Sequence, residues 1–140
     1  MDETPLWGVC INFNSSTMTT SEKLYSTLQS GEGFSIRATL DVYVGNGYAV
    51  GGANKCQAFE RDNESLSLIE FRQVLNRFIF SCVDNGGQRT QVIGGWVCDE
   101  GVAYIEISDV VASKSVALEL AKARGEKAIY DFENAKSIYL

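Results

Sequence analysis

"TQVIGGWVCDEGVAYIEI", residues 90–107, decides the fold class. Two β-prone runs flank Asp99-Glu100-Gly101, where the glycine can supply a positive φ. The stretch is predicted as an antiparallel hairpin. Alternation in "AYIEIS" sets Glu106 on the face opposite Ile105 and Ile107. A hairpin of this kind between helical segments points to α+β rather than to a parallel sheet.

Downstream, Ser113 is a good N-cap, "KSVALELAKAR" is rich in helix formers, and Gly125 supplies the stop. "KAIYDF" and "KSIYL" then form a last strand pair around Glu133-Asn134-Ala135. Upstream, residues 64–80 repeat with helical period. Leu68, Phe71, Leu75, Phe78 and Ile79 share one face, with Glu70, Arg72, Asn76 and Arg77 on or near the other. This is the expected core helix. "DNGGQR", residues 84–89, is a loop.

"GNGYAVGGANK", residues 45–55, is read as a hairpin turn and its exit. Asn46-Gly47 suits a type I′ turn, which needs positive φ at both positions. "DVYV" and "YAV" are its two arms, and Gly51-Gly52 lets the chain turn away. Residues 33–44 read as strand with a break near Ala38. Thr19 and Glu22 fit a capping box for a short helix through Leu24, Tyr25 and Leu28, stopped at Gly31. "LWGVCINF", residues 6–13, is a first strand. The expectation is one α+β domain over 1–140: antiparallel hairpins packed with about three helices.

The 140 residues carry 18 Asp and Glu against 12 Lys and Arg, a formal charge of −6. That balance repels a phosphate backbone and disfavours direct nucleic-acid binding. It suits a basic protein partner. No run reaches the roughly 18 apolar residues of a membrane span, and the start "MDETPLWGVC" lacks a signal peptide's basic region. Cys10, Cys56, Cys82 and Cys98 are scattered, without C-x-x-C spacing. These features are read as reduced thiols in a cytoplasm.

The glycine stretch fails the tests for a phosphate cradle. A dinucleotide fingerprint needs a helix to open at its last glycine, and "YAV" is strand-like. A Walker motif needs Lys then Ser or Thr, and Lys55 is followed by Cys56. The chain has no histidine, which removes the usual base for a Ser or Cys nucleophile and the commonest metal ligand. No catalytic set, metal site or cofactor is expected. What remains is a surface. Asp99, Glu100, Glu106 and Asp109 cluster in sequence beside Trp96 and Tyr104, residue types that anchor interfaces. A second acidic group, Glu60, Asp62 and Glu64, precedes the core helix.

Three segments together carry a resemblance: Gly47 to Gly52; Gly94-Gly95-Trp96 with Tyr104-Ile105-Glu106-Ile107-Ser108; and Ala128-Ile129-Tyr130-Asp131. Their order and spacing resemble small proteins without assigned activity that phages and other mobile elements encode. The resemblance covers the last fifty residues and the glycine stretch. It carries over no catalytic residue. It implies a setting in which small acidic proteins bind a host protein, including defence systems. Where that family often has glycine in the last turn, this chain has Ala135.

The leading expectation is a non-enzymatic binding protein acting by stoichiometric association with a protein partner, inhibiting a host nucleic-acid-handling system. Two alternatives stand beside it. One is an enzyme or small-ligand binder using carboxylates at the glycine turns, with Glu106, Asp131 or Cys56 lining a pocket. The other is a homo-oligomer paired through "KSIYL".

Overall fold

A computed structural model describes residues 18–83 and 90–140. The expected first strand at 6–13 and the loop at 84–89 lie outside the described residues.

The first element among the described residues is helix α1, Thr20–Gln29. Thr19 and Glu22 form the expected capping box: Thr19 N–H donates to Glu22 Oε1 at 2.8 Å, and Glu22 N–H donates to Thr19 Oγ1 at 3.2 Å. Gly31, at φ +90°, ends the helix as expected. Strand β1, Phe34–Ile36, follows. The chain then doubles back. Arg37 N–H donates to the Asp41 carbonyl, and Val42 bridges Ile36. The break foreseen near Ala38 is therefore a full reversal.

Strand β2, Tyr48–Val50, corrects the hairpin expectation at Asn46-Gly47. It does not pair with residues 41–44. It lies between strands β5, Val102–Val111, and β6, Ala128–Asp131. Only Gly47 takes positive φ, so the turn lacks the second such residue that type I′ needs. Gly47 is used instead for close approach, since a Cβ there would sit 3.0 Å from the Val111 carbonyl oxygen. Gly51-Gly52 does turn the chain away, with Gly52 at φ +75° opening a 3-10 turn over Ala53–Lys55.

Strand β3, Phe59–Asp62, leads through another 3-10 turn into the core helix α2, Leu68–Ser81. Ser67 caps α2, and Phe71, Val74, Leu75 and Phe78 are its buried stripe. The decisive hairpin forms as expected. Strand β4, Gln91–Val97, pairs with β5 through a tight turn in which Gly101 takes φ +82°. β5 runs four residues past the expected end. Helix α3, Lys114–Arg124, is capped by Ser113 and closed by Gly125 at φ +72°. Strands β6 and β7, Lys136–Tyr139, form the last pair, with Ala135 itself at φ +52° in the turn.

The sheet runs β1-β4-β5-β2-β6-β7, and β3 adds to β5 beyond the end of β2. All ladders among the described residues are antiparallel. Helices and sheet make the expected α+β arrangement. Registers place the three described α-helices on one face. Ile93, Ala103, Ile105 and Ile107 meet α1 and α2 in one core cluster. Val50 and Ile129 meet Ala117 and Ala121 of α3 in a second. Each fully buried Leu, Ile or Phe contributes about 1.5–3 kcal/mol by leaving water.

Candidate binding face

Side chains alternate along a strand, so β5 presents one set to the helices and another to the opposite face. The opposite set is Val102, Tyr104, Glu106, Ser108 and Val110. Register extends each position into a row. Glu60 of β3, Tyr104 of β5 and Trp96 of β4 form one. Glu106, Gly94 and Ser35 of β1 form the next. The expected residues Trp96, Tyr104 and Glu106 therefore share a face, and the structure brings Glu60 to them.

Trp96 and Tyr104 stack, with centroids 4.5 Å apart and planes at 18°. Trp96 is still 43% exposed. Burial, and after it the neighbouring Glu60 charge, push the Tyr104 phenol up. Such a stack is a rigid apolar platform with few rotatable bonds to order on binding.

Glu106 has the most distinctive surroundings. Gly51 stands at the corner where β2 leaves β5, and its missing side chain makes room for two carboxylates. A Cβ at Gly51 would lie 2.7 Å from Glu126 Oε1, and closer still to Glu106 Oε1. The two oxygens are thus no more than about 5 Å apart, close enough for like charges to oppose each other's ionisation. Burial first, and the Glu126 charge second, hold the Glu106 carboxyl above the usual range. Hydrogen bonds from the Trp96 side chain and the Gly52 N–H work the other way. Among the described residues, no Lys or Arg forms a salt bridge with Glu60, Glu106 or Glu126.

The other expected residues separate. Asp99 and Glu100 are exposed in the β4–β5 turn, where the Cys98 thiol donates to Glu100 Oε1 at 3.2 Å. Asp109 leaves the set and is corrected here. It has the parity of Ile105 and Ile107, so it faces the helices. There Arg124 Nη2 donates to its Oδ2 at 2.6 Å and Gln91 Nε2 to its Oδ1 at 2.9 Å. Gln91 is fully buried and also exchanges hydrogen bonds with Asn54, so this polar network is structural. Arg124 Nη1 further donates to the Val50 and Gly51 carbonyls, pinning the glycine corner from behind.

Asp131 and Cys56 do not join Glu106. Asp131 accepts the Glu133 and Asn134 N–H groups and the Asn134 amide, so it caps the last turn. The bond from the Asn134 side chain, above all, holds its carboxyl below the usual range. Cys56 packs on the rim of the main core. Glu126 was not foreseen. It follows the helix-ending Gly125, and nothing local distinguishes it from an exposed helix-end carboxylate.

Among the described residues, no three Cys, Asp or Glu side chains converge as a metal-ligand set, and no helix is long and apolar enough to cross a membrane. No family model, curated protein or solved structure was found to match this chain.

Proposed function

We propose that this protein acts by stoichiometric binding of a protein partner, through the sheet face opposite its helices. The observation that carries this is the half-exposed Trp96–Tyr104 stack, set in one row with Glu60 and beside Glu106. An aromatic platform rimmed by carboxylates suits a basic surface. The aromatic rings supply contact area and cation–π attraction, and the carboxylates supply charge complementarity. Proteins that handle nucleic acid carry such basic surfaces. In the mobile-element setting that the sequence resembles, a host protein of that kind is the partner, and occupation of its basic surface is the inhibition.

The test compares wild type with Trp96→Ala and Glu60→Gln as bait in a bacterial lysate, at low and moderate salt. A stoichiometric partner held by wild type, released as salt rises and lost by both variants, is the expected result. Equal capture by all three baits refutes the assignment to this face.

One observation favours a second reading. The Glu106–Glu126 pair at Gly51 also fits a small-ligand or acid–base site, because paired carboxylates divide into a protonated and an ionised member. That reading expects Glu126→Gln to abolish ligand binding while leaving capture of a protein partner through Trp96 intact.

A further inference from the structure

We propose that β7 joins a second copy of this chain edge to edge, antiparallel about a twofold axis at Ile138, so that one sheet runs through both molecules. The contact is separate from the binding face above, because β7 and β4 lie toward opposite ends of the strand order.

Alternate residues of a strand turn their backbone N–H and C=O groups to opposite sides. Leu140 N–H donates to the Lys127 carbonyl at 3.0 Å, one step beyond the Ala128–Tyr139 pair. Ile138 and Lys136 therefore also turn inward, toward Ile129 and Asp131. Ser137 and Tyr139 turn their N–H and C=O groups away from β6. The neighbouring ladder agrees. Phe132 N–H donates to the Gly47 carbonyl, so Tyr130 faces β2 as well, and Ile129 and Asp131 are left for β7.

The outer side of β7 faces solvent. Tyr139 is 77% exposed and Leu140 51%, and Lys136 and Ser137 are exposed too. A strand laid along them would cover much of that surface. The other edge strands carry protection. The chain's own reversal covers β1, with Val42 bridging Ile36 and Tyr43 N–H donating to the Ser35 carbonyl. β3 presents Glu60, Arg61 and Asp62, all exposed, and charged side chains of this kind discourage strand pairing. β7 offers the uncharged Ser137, Ile138 and Tyr139 after Lys136.

This edge is complementary to itself. Centring two antiparallel copies of β7 on Ile138 sets Ser137 of each opposite Tyr139 of the other. Each outward N–H then meets an outward C=O of the second copy. A shift of one residue sets outward groups against inward ones. A shift of two pushes one outward residue past the end of β7. Side chains fit the same register. Ile138, packed against the second core cluster, meets Ile138 of the second copy, which makes the two clusters continuous. On the other face the Tyr139 ring crosses the small Ser137 of the second copy toward its Tyr130. Such cross-strand pairs are what stabilises a sheet. An edge of 4 residues buries less than the roughly 1,200 Å² of a standard stable interface, so the dimer is weak and fills only at high concentration. Each copy carries a formal charge of −6, so screening by salt should favour it.

The test is sedimentation equilibrium of the full chain from micromolar to millimolar, at moderate salt. Ser137→Pro removes the outward N–H and no bond to β6, so it should abolish the dimer with a thermal midpoint close to wild type. Ile138→Cys sets two thiols across the twofold, where facing Cα atoms of a non-hydrogen-bonded pair lie about 4.5 Å apart. A disulfide spans about 4.4–6.8 Å, so mild oxidation should cross-link this variant beyond the background set by wild type, which keeps its own cysteines. Tyr139→Cys should stay at that background, since Tyr139 faces Ser137. A wild type that is monomeric throughout overturns the proposal. So does a dimer that Ser137→Pro leaves intact, or one in which Ile138→Cys cross-links no more than wild type. If Ser137→Pro lowers the midpoint, the cross-linking result decides alone.

Discussion

The adjacent glycines Gly94 and Gly95 allow a sharp test of the sheet's two faces, because replacing each by alanine should act in opposite directions. At Gly95 the new methyl would point at the Phe34 ring, 2.5 Å from Cζ and 3.1 Å from Cδ2. Carbon atoms prefer about 3.5–4.0 Å, so the ring must move by about 1 Å or more. Phe34 is not free to swing, since it packs edge-on against the buried Phe71 with centroids 6.1 Å apart. Overpacking of this kind costs about 1–3 kcal/mol. Removing a strand glycine returns about 0.5–1 kcal/mol of backbone entropy. The net expectation for Gly95→Ala is a loss of up to about 2.5 kcal/mol. Among the described residues Gly94→Ala meets one atom, at 3.8 Å, and keeps the entropic gain, so it should be neutral to about 1 kcal/mol stabilising. Urea unfolding followed by circular dichroism measures both. The double variant Phe34→Leu/Gly95→Ala should recover part of the loss, because the smaller side chain frees the space the methyl needs. Equal effects at the two glycines would refute the assignment of Gly95 to the packed face and Gly94 to the open one.

Glu106→Gln should flatten part of the pH dependence of stability. The Glu106 carboxyl is held above its unfolded value, so the folded state keeps a proton that the unfolded chain gives up. Its contribution is full below the unfolded value and is lost as pH rises through the folded one. The stability of wild type relative to the variant should therefore fall as pH rises from about 4 through that window, whatever the other carboxylates do. Arg124→Met should cost about 2–3 kcal/mol in denaturant unfolding, because it strips the donor from Asp109 and from the Val50 and Gly51 carbonyls. A change under about 0.5 kcal/mol would place the network outside the cooperative core. Ala135→Gly should raise the thermal midpoint slightly, by up to about 1 kcal/mol of stability, since a left-handed alanine is strained at φ +52°. A lower midpoint would mean that chain entropy outweighs that strain.

Helices were legible in the sequence because their signals are local. Thr19 with Glu22, Ser113 and Gly125 each act within one turn of themselves, and each appears in the structure with the expected geometry. The β4–β5 hairpin was legible for the same reason. β2 was not. "YAV" between Asn46-Gly47 and Gly51-Gly52 looks locally like a hairpin arm, yet its partners lie at 109–111 and 130–131. No turn signal reports a partner so far along the chain. β3 was passed over because "FERD" sends one hydrophobe, Phe59, to the core and leaves three polar residues. At the site, alternation places Glu106 opposite Ile105 and Ile107, while Trp96 and Tyr104 stand out in the sequence by residue type alone. The same alternation, carried two residues past Ile107, would have put Asp109 on the helical face. Glu126 needed the third dimension, because it meets Glu106 only through the corner at Gly51.

The order of the strands also bears on how this chain comes off the ribosome. None of β1, β2 and β3 pairs with another of the three. β1 waits for β4, and both β2 and β3 wait for β5, which begins at Val102. At about 5–20 residues synthesised per second, these segments wait seconds for their partners among the described strands. α1 and α2 can meet earlier, but the sheet they cover does not yet exist. Such non-local pairing belongs to the slow end of folding, on the order of milliseconds to seconds. Nascent chains halted before Val102 should accordingly remain open to protease, and chains that have emerged past Tyr139 should close to it.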